Sequence, residues 1–236
     1  MRVAVLASSI AVGLRIAGEI ETLSGVEVFV IACNVGKRPA LLRWARELVG
    51  LARSRGRPTP AKLWHYARSH RLLVFDALDD PSARDRLQSL RCSVGLHAAN
   101  VIYREPTIAA FRIGILNAHI GILPGYRGRS VAEWSVLQGD RTGVTVFFID
   151  SGIDTGARIV LREFIPVNGA KSVTDLKNRL FSCDARLYRK ALEALMTPAL
   201  QLQDNDVSKG HRYYVMSKIF TCVVNEILAG DGNAWL

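Results

Sequence analysis

Two short stretches concentrate side chains able to move protons and stabilise charge. The first is residues 116–128, LNAHIGILPGYRG. An apolar run at 113–118 reads as a strand that leads into it. Residues i and i+2 of a strand point to the same side. Asn117 and His119 are therefore expected to project together from the carboxyl end of that strand. An amide donor beside an imidazole can bind a developing oxyanion and transfer a proton. Pro124, Gly125 and Gly128 should fix a turn around Tyr126 and Arg127, with Arg127 a candidate contact for an anion or carboxylate. The second stretch is residues 142–156, TGVTVFFIDSGIDTG. A buried strand runs into a loop whose glycines allow tight backbone geometry near a ligand. Asp154 would orient or charge-stabilise His119 if the two strand ends are neighbours. On residue types alone, a structural histidine satisfied at a strand end stays open. DSGIDTG as a calcium loop lacks the length and terminal glutamate of an EF-hand.

The elements that must position these residues are legible as near-continuous apolar runs. They fall at 2–7, 26–32, 72–77, 92–98, 113–118, 143–149 and 159–165, separated by helical patterns near 13–23, 40–55, 60–70, 81–90 and 129–138. Buried runs alternating with helices predict an α/β fold, a doubly wound, mostly parallel sheet covered on both faces. Ligands of such sheets sit at the carboxyl ends of the strands. Ser172 should cap one long helix over 172–196, with Val173, Leu176, Leu180, Leu187, Ala191 and Leu195 at helical spacing. Thr197–Gly210 is polar, and 213–228 is a last apolar-periodic segment. The organisation expected is a core over 1–166 with a C-terminal helical extension, 167–236, packed on the same unit.

Composition bounds the partners. The 236 residues carry a net charge of +10, with 49% hydrophobic and 22% charged, ordinary for a globular protein. The charge favours anionic partners. With no RNA-binding aromatic motif or zinc-finger spacing, nucleic-acid binding is not expected. Cys33, Cys92, Cys183 and Cys222 contain no Cys-x-x-Cys pair, which predicts reduced, mostly buried thiols in a cytoplasmic protein. No run has the length of a membrane span, the apolar start reads as a first strand, and no metal is expected. Ten Lys or Arg against one acid, Glu47, fall between Lys37 and Arg71. A helix with a solvated basic face explains that stretch, and surface binding to a membrane or partner is its rival.

LNAHIGILPGYRG resembles the Asn-x-His…Leu-Pro-x-aromatic-[Lys/Arg]-Gly motif of the 10-formyltetrahydrofolate-dependent formyltransferase family. TGVTVFFIDSGIDTG resembles that family's Thr-Gly-Val-Thr…Asp-x-Gly segment. The two occur in the family's order, and the resemblance is strong over about 92–164. It implies a Rossmann-like sheet with 10-formyltetrahydrofolate held between strand ends as formyl donor. It implies Asn117, His119 and Asp154 as catalytic residues. The pterin would lie against Asp150, Ser151, Gly152, Ile153 and Gly156, and against the segment His97, Ala98, Ala99, Asn100, Val101 and Ile102. A neutral amine would attack the formyl carbon, Asn117 and His119 would stabilise the oxyanion, and Asp154 would hold His119 and a water.

The acceptor implied is an anionic small molecule with a primary amine. Methionyl-tRNA formyltransferases carry a further C-terminal barrel domain, whereas about 70 helical-looking residues follow this core. Glycinamide ribonucleotide formyltransferases have a glycine-rich phosphate loop after the first strand, where this chain reads ASSIAVGLRIAGE with Gly13 before the expected helix. What remains looks similar to the sugar N-formyltransferases, which act on nucleotide-linked amino sugars. Tyr126, Arg127 and Arg129 would contact that substrate, with Trp134 nearby. A homodimer is left open. The rivals are a 10-formyltetrahydrofolate hydrolase, a non-catalytic folate or nucleotide module, and a Rossmann oxidoreductase, which lacks its Gly-x-Gly-x-x-Gly here.

Overall fold

The computed structural model describes residues 1–33 and 60–230, in two compact units, Met1–Asn117 and Ala118–Leu236. In the first unit β1 (Arg2–Ala7), β2 (Glu27–Cys33), β3 (Leu72–Phe75) and β4 (Val94–Ala98) follow one another with helices between, and β5 (Gly114–His119) begins there and ends two residues into the second. The strands pair in parallel in the order β3-β2-β1-β4-β5. That order is the doubly wound one, reversing direction at β1 and β4. Val3 to Ala7 and Val28 to Cys33 are buried. Continuous β-branched runs buried on both faces are what parallel pairing requires.

Helix α1 (Ile10–Ile20) begins where Ser9 Oγ accepts the Val12 N–H at 3.2 Å. It buries Ile10, Leu14, Ala17 and Ile20, one face at helical spacing. Three further helices are α2 (Pro60–Arg68), α3 (Pro81–Ser89) and the short α4 (Glu105–Ile108). The helix expected at 40–55, and most of the basic stretch, lie outside the described residues. Cys33 and Cys92 are buried, and burial pushes both thiols up to about 12; Cys183 is half-buried and Cys222 exposed.

The second unit contains β6 (Tyr126–Gly128), α5 (Val131–Leu137), β7 (Gly143–Phe148) and β8 (Arg158–Phe164). β7 and β8 pair antiparallel, with a register shift between Val146 and Phe147. The sheet is thus mostly rather than wholly parallel. The loop between these strands is too short for the crossover helix a parallel pair would need.

The long helix expected over 172–196 is two helices, α6 (Val173–Ser182) and α7 (Asp184–Leu195). Ser172 does cap the first, accepting the Asp175 N–H at 3.1 Å. At the join Cys183 N–H bonds Leu180 O at 3.2 Å, a tightened last turn. Asp184 Oδ1 accepts the Ala185 N–H at 2.5 Å, the local competition that makes aspartate a helix-start residue. The C-terminal region is also not wholly helical. β9 (Gln203–Asp204) pairs antiparallel with β8, and β10 (His211–Tyr213) pairs in parallel with β6, before α8 (Lys218–Ala229). Strands of two or three residues are too short to leave a periodic signal. Among the described residues no helix is long and apolar enough to cross a membrane.

Candidate active site

β5 reaches the site from the core. Ile115 and Leu116 are buried, Asn117 and Ala118 are half-exposed, and His119 is buried again. Asn117 is the last residue of the first unit and His119 lies two residues on along the same strand. The Tyr188 hydroxyl of α7, itself buried, accepts the Ala118 N–H at 2.9 Å.

His119 is held at both ring nitrogens. Nε2 lies 2.9 Å from the Tyr126 carbonyl. A carbonyl only accepts, so Nε2 carries a proton and donates it. Nδ1 lies 3.5 Å from Asp154 Oδ1. That is ion-pair distance but longer than an ordinary hydrogen bond. Phe147 presents its ring edge-on, 6.5 Å between centroids. With its other nitrogen committed to the main chain, Nδ1 is the ring atom left facing the Asp154 carboxylate.

Asp154 reaches this position in the left-handed region, φ 55°, which Asp tolerates better than most residues. Its Oδ2 accepts the Gly128 N–H at 2.9 Å, so the carboxylate bridges the histidine and the loop beyond it. The strand-end proximity expected of His119 and Asp154 is therefore present in the second unit.

The loop after His119 is fastened by buried side chains. Thr145 of β7 donates to Gly121 O at 2.7 Å and accepts the Leu123 N–H at 3.1 Å. Arg162 Nε donates to Leu123 O at 2.6 Å. The Leu123–Pro124 peptide is cis. The Tyr126 hydroxyl donates to Gln138 Oε1 at 2.7 Å and also engages Asp140. Burial and the Asp140 carboxylate push this phenol well above its ordinary range, so it stays protonated. Its ring stacks on Tyr213, 5.2 Å between centroids.

The residues expected to touch substrate are thus differently placed. Tyr126 is buried with its hydroxyl engaged. Arg127 Nη2 donates to the carbonyls of Val207 at 3.1 Å and Gly210 at 3.4 Å. Arg129 is exposed and makes no ion pair among the described residues. Trp134 is half-buried, donates from Nε1 to Tyr214 O at 3.0 Å and stacks on Tyr213.

The loop between β7 and β8 closes on itself. Asp150 Oδ1 accepts from the Gly152 N–H at 3.0 Å and the Thr155 hydroxyl at 2.7 Å. The main-chain groups of Ser151 and Ile153 make no hydrogen bond among the described residues, and the Ile153 side chain is exposed. In the first unit, His97 Nδ1 lies 2.9 Å from the Tyr103 hydroxyl across the segment Ala98–Ile102. Ala99 is buried there, while Asn100 and Ile102 are exposed. Among the described residues no cluster of three or more His, Cys, Asp or Glu is placed to hold a metal ion.

Sequence reasoning missed two residues that shape this site. Thr145 sits inside the quoted TGVTV run, where hydroxyl-bearing residues on a buried strand were a signal. Asn205 lies in a polar stretch with no pattern, and it binds the Asp154 loop.

Comparison with known proteins places this geometry. The family model described as formyl transferase matches residues 76–192, about half of the chain. A methionyl-tRNA formyltransferase of Chlorobium luteolum is 34% identical over 154 residues, covering 64% of this chain and 49% of the relative. One from Chromohalobacter salexigens is 33% identical over 151 residues, covering 62% and 46%. The chain thus spans about half the length of the curated relatives it matches. Among solved structures, glycinamide ribonucleotide transformylase 1 from Symbiobacterium toebii superposes with a TM-score of 0.59 at 23% identity, covering 87% of this chain and 94% of that one. A sugar N-formyltransferase from a Shewanella species gives 0.63 at 15% identity, covering 99% and 89%. At such identities these two likenesses concern the fold. Asn117, His119 and Asp154 all fall inside the matched span, and residues 76–192 belong to the formyl transferase family.

Proposed function

We propose that this protein transfers a formyl group to a primary amine, and that Asn117, His119 and Asp154 carry the reaction. The observation that supports this most is the Nδ1 of a buried histidine 3.5 Å from a carboxylate, with Nε2 fixed on a carbonyl. Such a pair can take a proton from an attacking amine and return it to the leaving nitrogen. Asn117 Nδ2 is assigned to the formyl oxygen, where negative charge develops. Asp154 keeps the imidazole oriented and stabilises it when doubly protonated.

When bound, 10-formyltetrahydrofolate supplies the formyl group. The chain fits such a donor at the β7–β8 loop. A flat pterin needs main-chain donors and acceptors at its polar edge and apolar cover on its face. The unpaired main-chain groups of Ser151 and Ile153, beside the exposed Ile153 side chain, offer both. Asp150, Gly152 and Gly156 shape that loop, and the segment His97–Ile102 is assigned to the same ligand.

The acceptor is assigned as a nucleotide-linked amino sugar. An anionic acceptor suits the net charge of +10, and exposed Arg129 is the cation closest in sequence to the catalytic strand that is free to meet it. A glycinamide ribonucleotide is disfavoured. The turn after β1 that would cradle its phosphate, Ser8–Ser9, has no glycine, and Gly13 lies inside α1. A Cβ there would lie 2.5 Å from Val30 Cγ1, so that glycine serves close helix–strand packing. An aminoacyl-tRNA is the second reading, favoured by relatives at 34% and 33% identity named for methionyl-tRNA. The test is formyl transfer from 10-formyltetrahydrofolate to a panel of nucleotide-linked amino sugars, glycinamide ribonucleotide and methionyl-tRNA. Asn117→Ala and His119→Ala should each lower kcat on the accepted amine by about 10²-fold or more. Near wild-type kcat in either variant contradicts the assigned roles. Turnover of methionyl-tRNA alone removes the sugar reading and leaves formyl transfer standing. Formate release with no acceptor present would indicate a hydrolase.

A further inference from the structure

We infer that Asn205 is a positioning residue for the reaction, acting through Asp154; the inference rests on the formyl-transfer reading above. Asn205 lies 51 residues from Asp154 in sequence, beyond the span 76–192 that the family model matches. Its side chain is buried. Nδ2 donates to Asp154 O at 3.2 Å and to Gly156 O at 3.0 Å, and its main-chain N–H donates to Ala157 O at 2.9 Å. One residue thus takes three bonds to a four-residue stretch of the β7–β8 loop.

The stretch it holds has a conformational cost. Asp154 is in the left-handed region, which persists only where surrounding structure over-determines it. The Asp150 turn closes at Thr155 Oγ1 and does not reach the Asp154 main chain. Asn205 supplies that restraint. It does so at the expense of its own Oδ1, which is buried with no partner among the described residues. Here both Nδ2 protons are committed to carbonyls of the loop that presents the carboxylate.

The neighbouring strap joins the same site. Gly210 passes so close to Pro124 that a Cβ there would lie 1.6 Å from Pro124 O. His211 N–H donates to Gly125 O at 3.1 Å. Val207 and Gly210 carbonyls receive Arg127. Residues 205–213 therefore bind both loops that frame His119, with Asn205 the contact on the Asp154 side.

The reporter is the Gly128 amide, whose N–H donates to Asp154 Oδ2 at 2.9 Å. In the whole chain, Asn205→Ala should shift the Gly128 amide proton upfield as its hydrogen bond lengthens. It should lower kcat by about 10-fold or more with KM for donor and acceptor little changed, as displacement of a catalytic group does. In an Asp154→Asn background the same substitution should cost much less, because residues acting as one unit are non-additive. Asn205→Asp should fall at least as far as Asn205→Ala, since it removes the donor and sets a carboxylate against two carbonyls. Glu163→Gln, a variant remote from the loop, is the control for loss of stability alone. An unmoved Gly128 amide, or additive losses in the double variant, overturns the inference. If the wild-type chain transfers no formyl group, the functional reading fails and the Gly128 amide still decides the role of Asn205.

Discussion

The loop after β5 and the loop between β7 and β8 both deliver a main-chain or side-chain group to His119, and they are held in opposite ways. The first is fastened by side chains from the body of the second unit: Thr145 on Gly121 and Leu123, Arg162 on Leu123, and the Tyr126 hydroxyl on Gln138. The second is fastened by its own Asp150 and by one residue from far along the chain, Asn205. The first loop supplies a fixed carbonyl that sets the histidine tautomer. The second carries the carboxylate and the exposed main-chain groups assigned to the donor. The loop that orients the ring is tied by strand side chains, and the loop assigned to the ligand is tied by its own aspartate and one asparagine from a later segment.

That contrast can be broken at the rigid side first. Thr145→Val keeps the volume but leaves Gly121 O and the Leu123 N–H unpaired and buried. Each such group costs about 1–3 kcal/mol, so thermal unfolding should show a drop of several degrees together with lost activity. A variant as stable as wild type would mean the clamp contributes little. The second loop should respond differently. Asp150→Ala frees the Gly152 N–H and the Thr155 hydroxyl at the surface, where water replaces the lost partner. Titration with 5-formyltetrahydrofolate should then show weaker binding by several-fold with almost no change in Tm. Equal effects on Tm in the two variants would erase the distinction.

The smallest effect on activity is expected outside both loops. Arg186 and Lys190 donate to Glu163 on β8 at 2.5–3.1 Å, and chiefly the Arg186 hydrogen bonds push its carboxyl down to about 2. A folded-state value below the unfolded one contributes stability that is present above about pH 4.5 and lost as pH falls toward 2. Glu163→Gln should therefore lower Tm modestly at neutral pH and by a shrinking amount on acidification, with kcat unchanged. A Tm gap independent of pH would contradict the assigned pairing. Surface-accessible pairs of this kind contribute little individually.

What the sequence made legible follows the same division. The parallel strands of the first unit were readable because burial on both faces demands continuous apolar runs, as in Arg2–Ala7 and Val94–Ala98. The Ser172 cap and the helical spacing after it were readable as well, because both are local. Spacing within two strand-ending segments made His119 and Asp154 candidates, and the family resemblance of those segments gave them their roles. Their meeting depended on antiparallel return of the chain from β7 to β8, which a short loop with no helical pattern does signal. The break at Cys183 was hidden because the apolar period runs on through it. β9, β10 and Asn205 were hidden for a different reason. Each works through a handful of hydrogen bonds to residues about 44 to 85 positions earlier, and a polar stretch carries no period to betray them.

Asp154→Asn, measured by kcat for formyl transfer alongside Tm, tests the central claim most directly. Asparagine fits the left-handed backbone and can keep an oxygen for the Gly128 N–H, so shape and stability should be retained. Only the negative charge facing His119 Nδ1 is removed. The expected result is a fall in kcat of about 10²-fold or more with Tm nearly unchanged. Wild-type kcat in a folded Asp154→Asn protein would show that the His119–Asp154 pair does not carry the chemistry.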